Sequence, residues 1–176
     1  EKKKINEKLN IEKYFVLAPE AAWAQKQFPQ QRYLGILNNI YKKFNLTPVL
    51  IGSSNTSICK EIAKGYKNKI INVSGKTSLR ESLSIISNAL FVVGGDTGMI
   101  HAAEAFNKHV VAIFGPTNKQ TGGGLFSKLS EEIHAPNIWC KPCSINGSFP
   151  CYRKIQYCMT EIDDGEILRA IKNIYR

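Results

Sequence analysis

The sequence predicts an α/β domain in which helices cover both faces of a doubly wound parallel sheet. Three observations carry that prediction. Short apolar segments alternate with longer segments of helical periodicity. The apolar segments are rich in β-branched residues and nearly uninterrupted by polar ones, as strands buried on both faces must be. Turns rich in Gly, Ser and Thr follow the strands, at the carboxyl ends where such sheets hold ligands.

In order, YFVLAP (14–19) reads as a first strand, and QQRYLGILNNIYKKF (30–44) places apolar residues three and four apart, as a helix buried on one face requires. TPVLIG (47–52) is a second strand, SICKEIAKGY (57–66) a helix and KIINVS (69–74) a third strand. SLRESLSIISNA (78–89) is a helix whose Ser78 and Glu81 have capping-box spacing. ALFVVG (89–94), a helix from Thr97 to about Asn107 and the strand HVVAIFG (109–115) complete the regular part. Residues 116–160 carry Pro, Gly, Asn and four cysteines with no sustained period, which predicts a long loop; Asp163 and Glu166 then form a capping pair ahead of EILRAIKNIYR.

A chain of 176 residues, 43% hydrophobic and 22% charged, suits one packed domain. Runs such as ALFVV and HVVAIF fall far short of the ~20 apolar residues that span a bilayer. The opening EKKKINEKLNIEKY has no apolar core of the signal-peptide kind, so a cytoplasmic location is expected. The net charge of +10, from 24 Lys and Arg against 14 Asp and Glu, brings acidic partners into consideration (nucleic acid, anionic lipid or a phosphorylated small molecule) beside the plainer reading of a solvated basic surface. The sign does not choose among them.

The turns narrow the chemistry. SGKTS lacks the upstream glycine of a phosphate-wrapping P-loop, because position 70 is Ile70, so a nucleotide triphosphatase is disfavoured. GGDTGMIH has the spacing G-G-x-x-G, which is not the dinucleotide fingerprint G-x-G-x-x-G. It nonetheless combines what an anion site needs: glycines that admit close backbone approach, a helix amino end with unpaired N–H groups, and the Thr97 hydroxyl. His101 follows Thr97 by one helical turn and can donate to a phosphate oxygen there. The plainer alternative makes Asp96 an N-cap and His101 a packed histidine.

The cysteines fall as Cys140-x2-Cys143-x7-Cys151-x6-Cys158, with Cys59 alone on a helix and expected to be buried. One C-x2-C pair suits a metal clip, the second pair departs from paired-knuckle spacing, and a cytosolic setting disfavours disulfides; zinc, disulfides and free thiols all remain open.

VVGGDTGMIHAAEAF followed by VVAIFGPTN resembles the signature of the heptosyltransferases of lipopolysaccharide core synthesis, glycosyltransferase family 9, in which D-[ST]-G-x-x-H-x-A-A precedes a strand ending F-G-x-T. LAPEAAWAQKQFP is similar to the family's first strand and Lys-x-aromatic-Pro turn, and NVSGKTSLRESLSIISNA to its G-K-T-S-L segment. The resemblance spans residues 14–175 and about half of the family's protein. It implies the carboxyl-terminal half of a GT-B glycosyltransferase, two Rossmann-like domains facing a cleft. Residues 1–13 would then be interdomain linker, 14–176 the sugar-nucleotide-binding domain with a cysteine-containing loop at 136–160, and the catalytic base would reside in the amino-terminal domain.

By position, the resemblance implies that Lys26, Asp96, Thr97, Gly98 and His101 line the donor diphosphate. It also implies an ADP-sugar donor, a lipopolysaccharide-precursor acceptor, no cofactor for catalysis, and residues that stabilise the departing diphosphate without a metal ion. Similar cysteines in the family favour a structural role for the loop, with zinc as one form of it. One departure stands out: the family usually carries an acidic residue after the second strand's glycine, where it binds ribose, but here the loop is Gly52-Ser53-Ser54-Asn55-Thr56-Ser57, with no carboxylate nearby. Asn55 and Thr56 are the expected substitutes, with Lys76 and Thr77 bordering the base. Gly95 also stands where an asparagine is common. The basic balance fits peripheral contact with an anionic membrane. A nonenzymatic nucleic-acid-binding module is the competing reading, and no nucleic-acid motif accompanies it.

Overall fold

The computed structural model describes residues 9–55 and 57–175; the predicted linker's first eight residues and Thr56 therefore lie outside the described residues. Six parallel strands form one sheet: β1 (Tyr14–Ala18), β2 (Thr47–Leu50), β3 (Ile71–Asn72), β4 (Phe91–Gly95), β5 (His109–Phe114) and β6 (Ser130–His134), in the spatial order β3-β2-β1-β4-β5-β6. The helices are α1 (Gln30–Phe44), α2 (Ile58–Gly65), α3 (Leu79–Asn88), α4 (Gly98–Ala105), α5 (Tyr157–Thr160) and α6 (Asp164–Ile174).

Alternation along β1 splits the core between the two faces. Phe15 and Leu17 pack with Ile36, Leu37 and Ile40 of α1, Cys59 and Ile62 of α2, and Ile167 and Ile171 of α6. Tyr14, Val16 and Ala18 pack with Ile85 and Ile86 of α3 and Ile100 and Ala103 of α4. Both faces of the sheet are thus dry, which explains the unbroken apolarity of its central strands and bears out the doubly wound prediction. Leu9, within the predicted linker, is buried in the second cluster.

Local signals set the helix ends. Ser78 Oγ accepts from the Glu81 N–H at 3.3 Å while a Glu81 carboxylate oxygen accepts from the Ser78 N–H at 2.9 Å, a closed capping box worth about 1 kcal/mol. Asp163 caps α6 by accepting from the Gly165 N–H at 2.8 Å. Asn45, at φ 50°, ends α1 in the left-handed region. Arg32 of α1 then binds the carboxyl-terminal segment: it donates to the carbonyls of Met159, Thr160 and Ile162 and to Asp164 Oδ1 at 2.7 Å.

The region after Gly115 is more ordered than its sequence predicts. Ser130–His134 forms β6, pairing in register with β5 from Val110↔Ser130 to Phe114↔His134, and Tyr157–Thr160 adds a short helix. SEEIH has one aliphatic residue because it is an edge strand, and charged side chains on an edge discourage further pairing.

The order 3-2-1-4-5-6 reverses between β1 and β4, which opens a crevice at their carboxyl ends. Ala18 and Gly94 are partners across that junction. A Cβ on Gly94 would lie 2.7 Å from the Ala18 carbonyl oxygen and 3.1 Å from Ile100, so the glycine permits both the strand contact and the seating of α4.

Candidate functional site: the crevice between β1 and β4

Three side chains, from the turns after β1 and β5 and from the first turn of α4, converge on one carboxylate. Asp96, in the turn after β4, has a side chain only 7% exposed. Its Oδ2 lies 2.7 Å from Lys26 Nζ, and Lys26, 11% exposed, comes from the single 3-10 turn Ala24–Lys26 that follows β1. Thr117, in the turn after β5 and fully buried, donates its hydroxyl to the same oxygen at 2.7 Å. The His101 imidazole on the first turn of α4 places Nε2 3.9 Å from Asp96 Oδ1 and Nδ1 3.8 Å from Glu104.

Burial opposes ionisation of Asp96, but His101, Lys26 and Thr117 outweigh it and hold the carboxyl well below the usual carboxylate range. Asp96 is therefore an anion, and it holds its cationic neighbours in place. The contact with Asp96 raises the His101 pKa against the opposing effect of burial, with Glu104 adding to the rise. A buried cation and an imidazole inclined to carry charge thus stand beside the amino end of α4.

The cap of α4 is Thr97: its Oγ accepts from the Met99 N–H at 3.0 Å. Asp96 is not the N-cap, which corrects the plainer reading of that residue. Thr97 is half-buried, Gly98 is exposed, and a Cβ on Gly98 would meet nothing within 4 Å. The helix tip is open, and its partial positive charge faces outward.

A cleft of about 400 Å³ is bordered by Thr97 and Met99 of this tip, by Ser82 of α3, by Glu20 of the turn after β1 and by Gly52 and Ser53 of the turn after β2. Glu20, from the turn after β1, overturns the expectation that no carboxylate stands near the β2 turn: its Oε2 accepts from the Ser53 N–H at 2.7 Å. The expected nucleoside contacts are dispersed. Asn55 bends back on its own loop through Ser53 and Ser54, Lys76 Nζ reaches the Asn72 carbonyl at 3.4 Å, and Thr77 pairs with Ser82 at 2.8 Å. Among the described residues bordering the cleft, Ser82 is Thr77's partner, while Asn55, Lys76 and Thr77 themselves are absent.

The family model for glycosyltransferase family 9 (heptosyltransferase) matches residues 1–151. The chain belongs to glycosyltransferase family 9. Lipooligosaccharide heptosyltransferase 2 of Campylobacter jejuni is 22% identical over 171 residues, which covers 95% of this chain and 52% of that protein. Its counterpart in Haemophilus influenzae is 26% identical over 99 residues, 54% of this chain and 29% of that protein. Among solved structures, E. coli ADP-heptose lps heptosyltransferase II superposes with a TM-score of 0.78 at 18% identity, over 98% of this chain and 50% of its own. E. coli heptosyltransferase WaaC with ADP gives 0.72 at 17%, over 92% and 44%. At these identities the structures establish the fold, and the chain spans about half the length of the Campylobacter protein and of the two solved structures.

Of the family's signature, the D-T-G-x-x-H and F-G-x-T elements meet physically in Asp96, His101 and Thr117. Sequence reasoning placed Thr117 within the pattern without a role; the pairing with Asp96 supplies one. Gln25 was missed altogether. It is buried, its amide donates to the Asn146 and Gly147 carbonyls at 3.0 Å, and its own carbonyl accepts from Gln156, which ties the turn bearing Lys26 to the cysteine loop.

Cys140, Cys143, Cys151 and Cys158 border one small cavity, yet among the described residues no three His, Cys, Asp or Glu side chains are placed to share a metal ion. The arrangement therefore gives no support to zinc, one of the three states the spacing left open. All five cysteines stand as free thiols, the third of those states. Cys140 Sγ accepts from Arg153 at 3.7 Å and Cys143 Sγ from the Ser148 N–H at 3.3 Å, while Cys151 donates to the Ile155 carbonyl at 3.6 Å. Between the first two, Lys141 Nζ donates to the Phe114 carbonyl at 3.0 Å and to His134 Nδ1 at 2.5 Å, leaving Nε2–H of His134 to donate to Glu132 at 3.0 Å. This chain of contacts fastens the loop to the ends of β5 and β6. Cys59 is fully buried as expected, and burial pushes its thiol up to about 12.

Proposed function

We propose that this chain is the donor-binding half of a heptosyltransferase that takes ADP-heptose, or a related ADP-sugar, and delivers the sugar to a lipopolysaccharide inner-core acceptor. The observation that carries the reading is the open tip of α4 with Lys26 and His101 held beside it by Asp96. As the glycosidic bond to the diphosphate breaks, negative charge grows on the leaving group. A helix amino end, an ammonium and an imidazolium aimed at that position stabilise the developing charge more than the ground state. In this arrangement Thr97 and Gly98 present the helix end, His101 and Lys26 supply positive charge, and Asp96 orients both.

The amino-terminal GT-B domain then provides the acceptor contacts and the base, and the net charge of +10 favours residence at the anionic cytoplasmic face of the membrane. No helix among the described residues is long and apolar enough to cross a membrane, so such contact would be peripheral. Co-sedimentation with vesicles that shows no preference for anionic lipid would remove the membrane element alone.

Calorimetric titration with ADP and with an oligonucleotide at several salt concentrations tests the core of the reading. Saturable ADP binding with weak, steeply salt-dependent oligonucleotide binding supports it; the reverse restores the nucleic-acid alternative.

A further inference from the structure

We infer that the cysteine loop is the surface by which this chain seats on an anionic lipid bilayer, with Trp139 and Ile155 entering the headgroup layer and Arg153 and Lys154 meeting its negative charge. The inference rests on the peripheral-membrane element of the reading above and names the surface that makes the contact.

Apolar residues exposed singly need no explanation, but a run of them on one segment does. Trp139, Ile145, Phe149, Tyr152 and Ile155 are all exposed large apolar side chains of this loop, and the first three are between 70 and 75% exposed. The Trp139 and Tyr152 rings meet edge to face with centroids 6.4 Å apart. The Arg153 guanidinium lies 5.3 Å from the Trp139 ring centre, and the Ile155 N–H donates to the Arg153 carbonyl at 2.7 Å. Trp139, Tyr152, Arg153 and Ile155 therefore form one patch. The loop beneath it is fastened by Gln25, Lys141 and Gln156, so the apolar tips are held out in solvent.

Charge selects the partner. Residues 135–160 contain no Asp or Glu. Of their three cations, Lys141 turns inward to the Phe114 carbonyl and His134, whereas Arg153 and Lys154 have no acidic partner among the described residues. A polypeptide would accommodate the aromatic rings equally well; the acid-free rim favours a surface of uniform negative charge. Amphipathic Trp and Tyr rings beside unpaired cations match the interfacial layer of an anionic bilayer, where such rings settle at headgroup depth and each cation is drawn to the surface.

The position of the loop gives the contact a use. Gln25 adjoins Lys26 and donates to the Asn146 and Gly147 carbonyls at 3.0 Å, which joins the loop directly to one lip of the crevice. Seated by this loop, the chain holds the crevice at the bilayer surface, where an acceptor anchored in lipid would be met.

The test uses vesicles of phosphatidylcholine alone or mixed with phosphatidylglycerol, and a Trp23→Phe chain in which Trp139 is the one remaining tryptophan. Anionic vesicles should shift Trp139 emission to the blue, and phosphatidylcholine alone should not. By sedimentation, Lys154→Glu should lower partition onto anionic vesicles roughly fivefold or more, while Lys60→Glu, the same charge change at an exposed position of α2, should lower it no more than about twofold. Trp139→Ala combined with Ile155→Ser should lower it about tenfold or more with the circular dichroism spectrum unchanged. Vesicle binding that leaves Trp139 emission unmoved, or an equal loss in Lys60→Glu, would overturn the role of the loop while leaving membrane contact standing. A Trp139 shift that follows protein concentration without vesicles would overturn it in favour of a second copy of this chain. A wild-type chain indifferent to anionic vesicles would instead remove the membrane element on which the inference rests.

Discussion

Lys26 Nζ and Asp96 Oδ2 meet at 2.7 Å with both side chains about nine-tenths buried, joining the turn after β1 to the turn after β4 across the switch point of the sheet. The pair fixes the separation of the crevice's two lips. Because each charge depends on the other for its solvation, removing one partner leaves an uncompensated buried ion.

Asp96→Ala should therefore destabilise the fold by about 3–5 kcal/mol, and Lys26→Met introduced with it should recover much of that loss without restoring ADP binding. Denaturant unfolding of the two single variants and the double variant checks the coupling. Additive effects would mean that the pair does not act as a unit.

His101 should make ADP affinity pH-dependent. Its pKa is raised above the ordinary value of about 6.5, so the imidazolium is present below that value and is lost as pH rises through the folded-state pKa. ADP affinity should fall across that upper window, and stability contributed by the His101–Asp96 contact should fall with it. In the opposite direction, the depressed Asp96 pKa means its contribution is present above about pH 4 and is lost as pH falls through its folded-state value. The terminal phosphate of ADP titrates as well, so the comparison is with His101→Ala: the variant should keep the phosphate's own profile and lose the additional decline. Superimposable profiles would refute a charged role for His101.

Arg32→Ala should cost roughly 2 kcal/mol of stability, the scale of hydrogen bonds to a charged group, because the carbonyls of Met159, Thr160 and Ile162 lose a common donor. Hydrogen exchange in α6 should accelerate more than in α3. Uniform acceleration would argue against a local tie.

Cys140 should be the thiol that alkylates fastest in the native protein. Burial works against its ionisation, but Tyr152 and Arg153 stabilise the thiolate and bring its pKa below the ordinary value. Cys59 and Cys158 are buried and should react only on unfolding. Equal protection of Cys140, Cys143, Cys151 and Cys158, relieved together by a chelator, would contradict the free-thiol arrangement and reinstate zinc.

The parts of the fold that could be read from sequence are those where local preference and tertiary demand agree. Helix α1 matches its predicted limits because its apolar stripe, the preceding Pro29 and the left-handed Asn45 coincide. β3 contracts from the expected six residues to Ile71–Asn72, and β6 escapes detection because its polar sequence serves a sheet edge. At the site, GGDTG announced a helix tip, but either Asp or Thr is a good N-cap, and the choice of Thr97 follows from Lys26 and Thr117, which engage Asp96 from distant turns. Glu20 was hidden for the same reason: periodicity within one turn carries no information about which neighbouring turn it reaches.

The central claim is that the amino end of α4 holds the diphosphate of an activated sugar, and a crystal structure of the chain soaked with ADP measures it most directly. Diphosphate oxygens should lie over Thr97 and Gly98, within hydrogen-bonding distance of the α4 tip and of His101 or Lys26. A diphosphate bound away from α4, or ADP whose adenine rather than its phosphates occupies that tip, would contradict it.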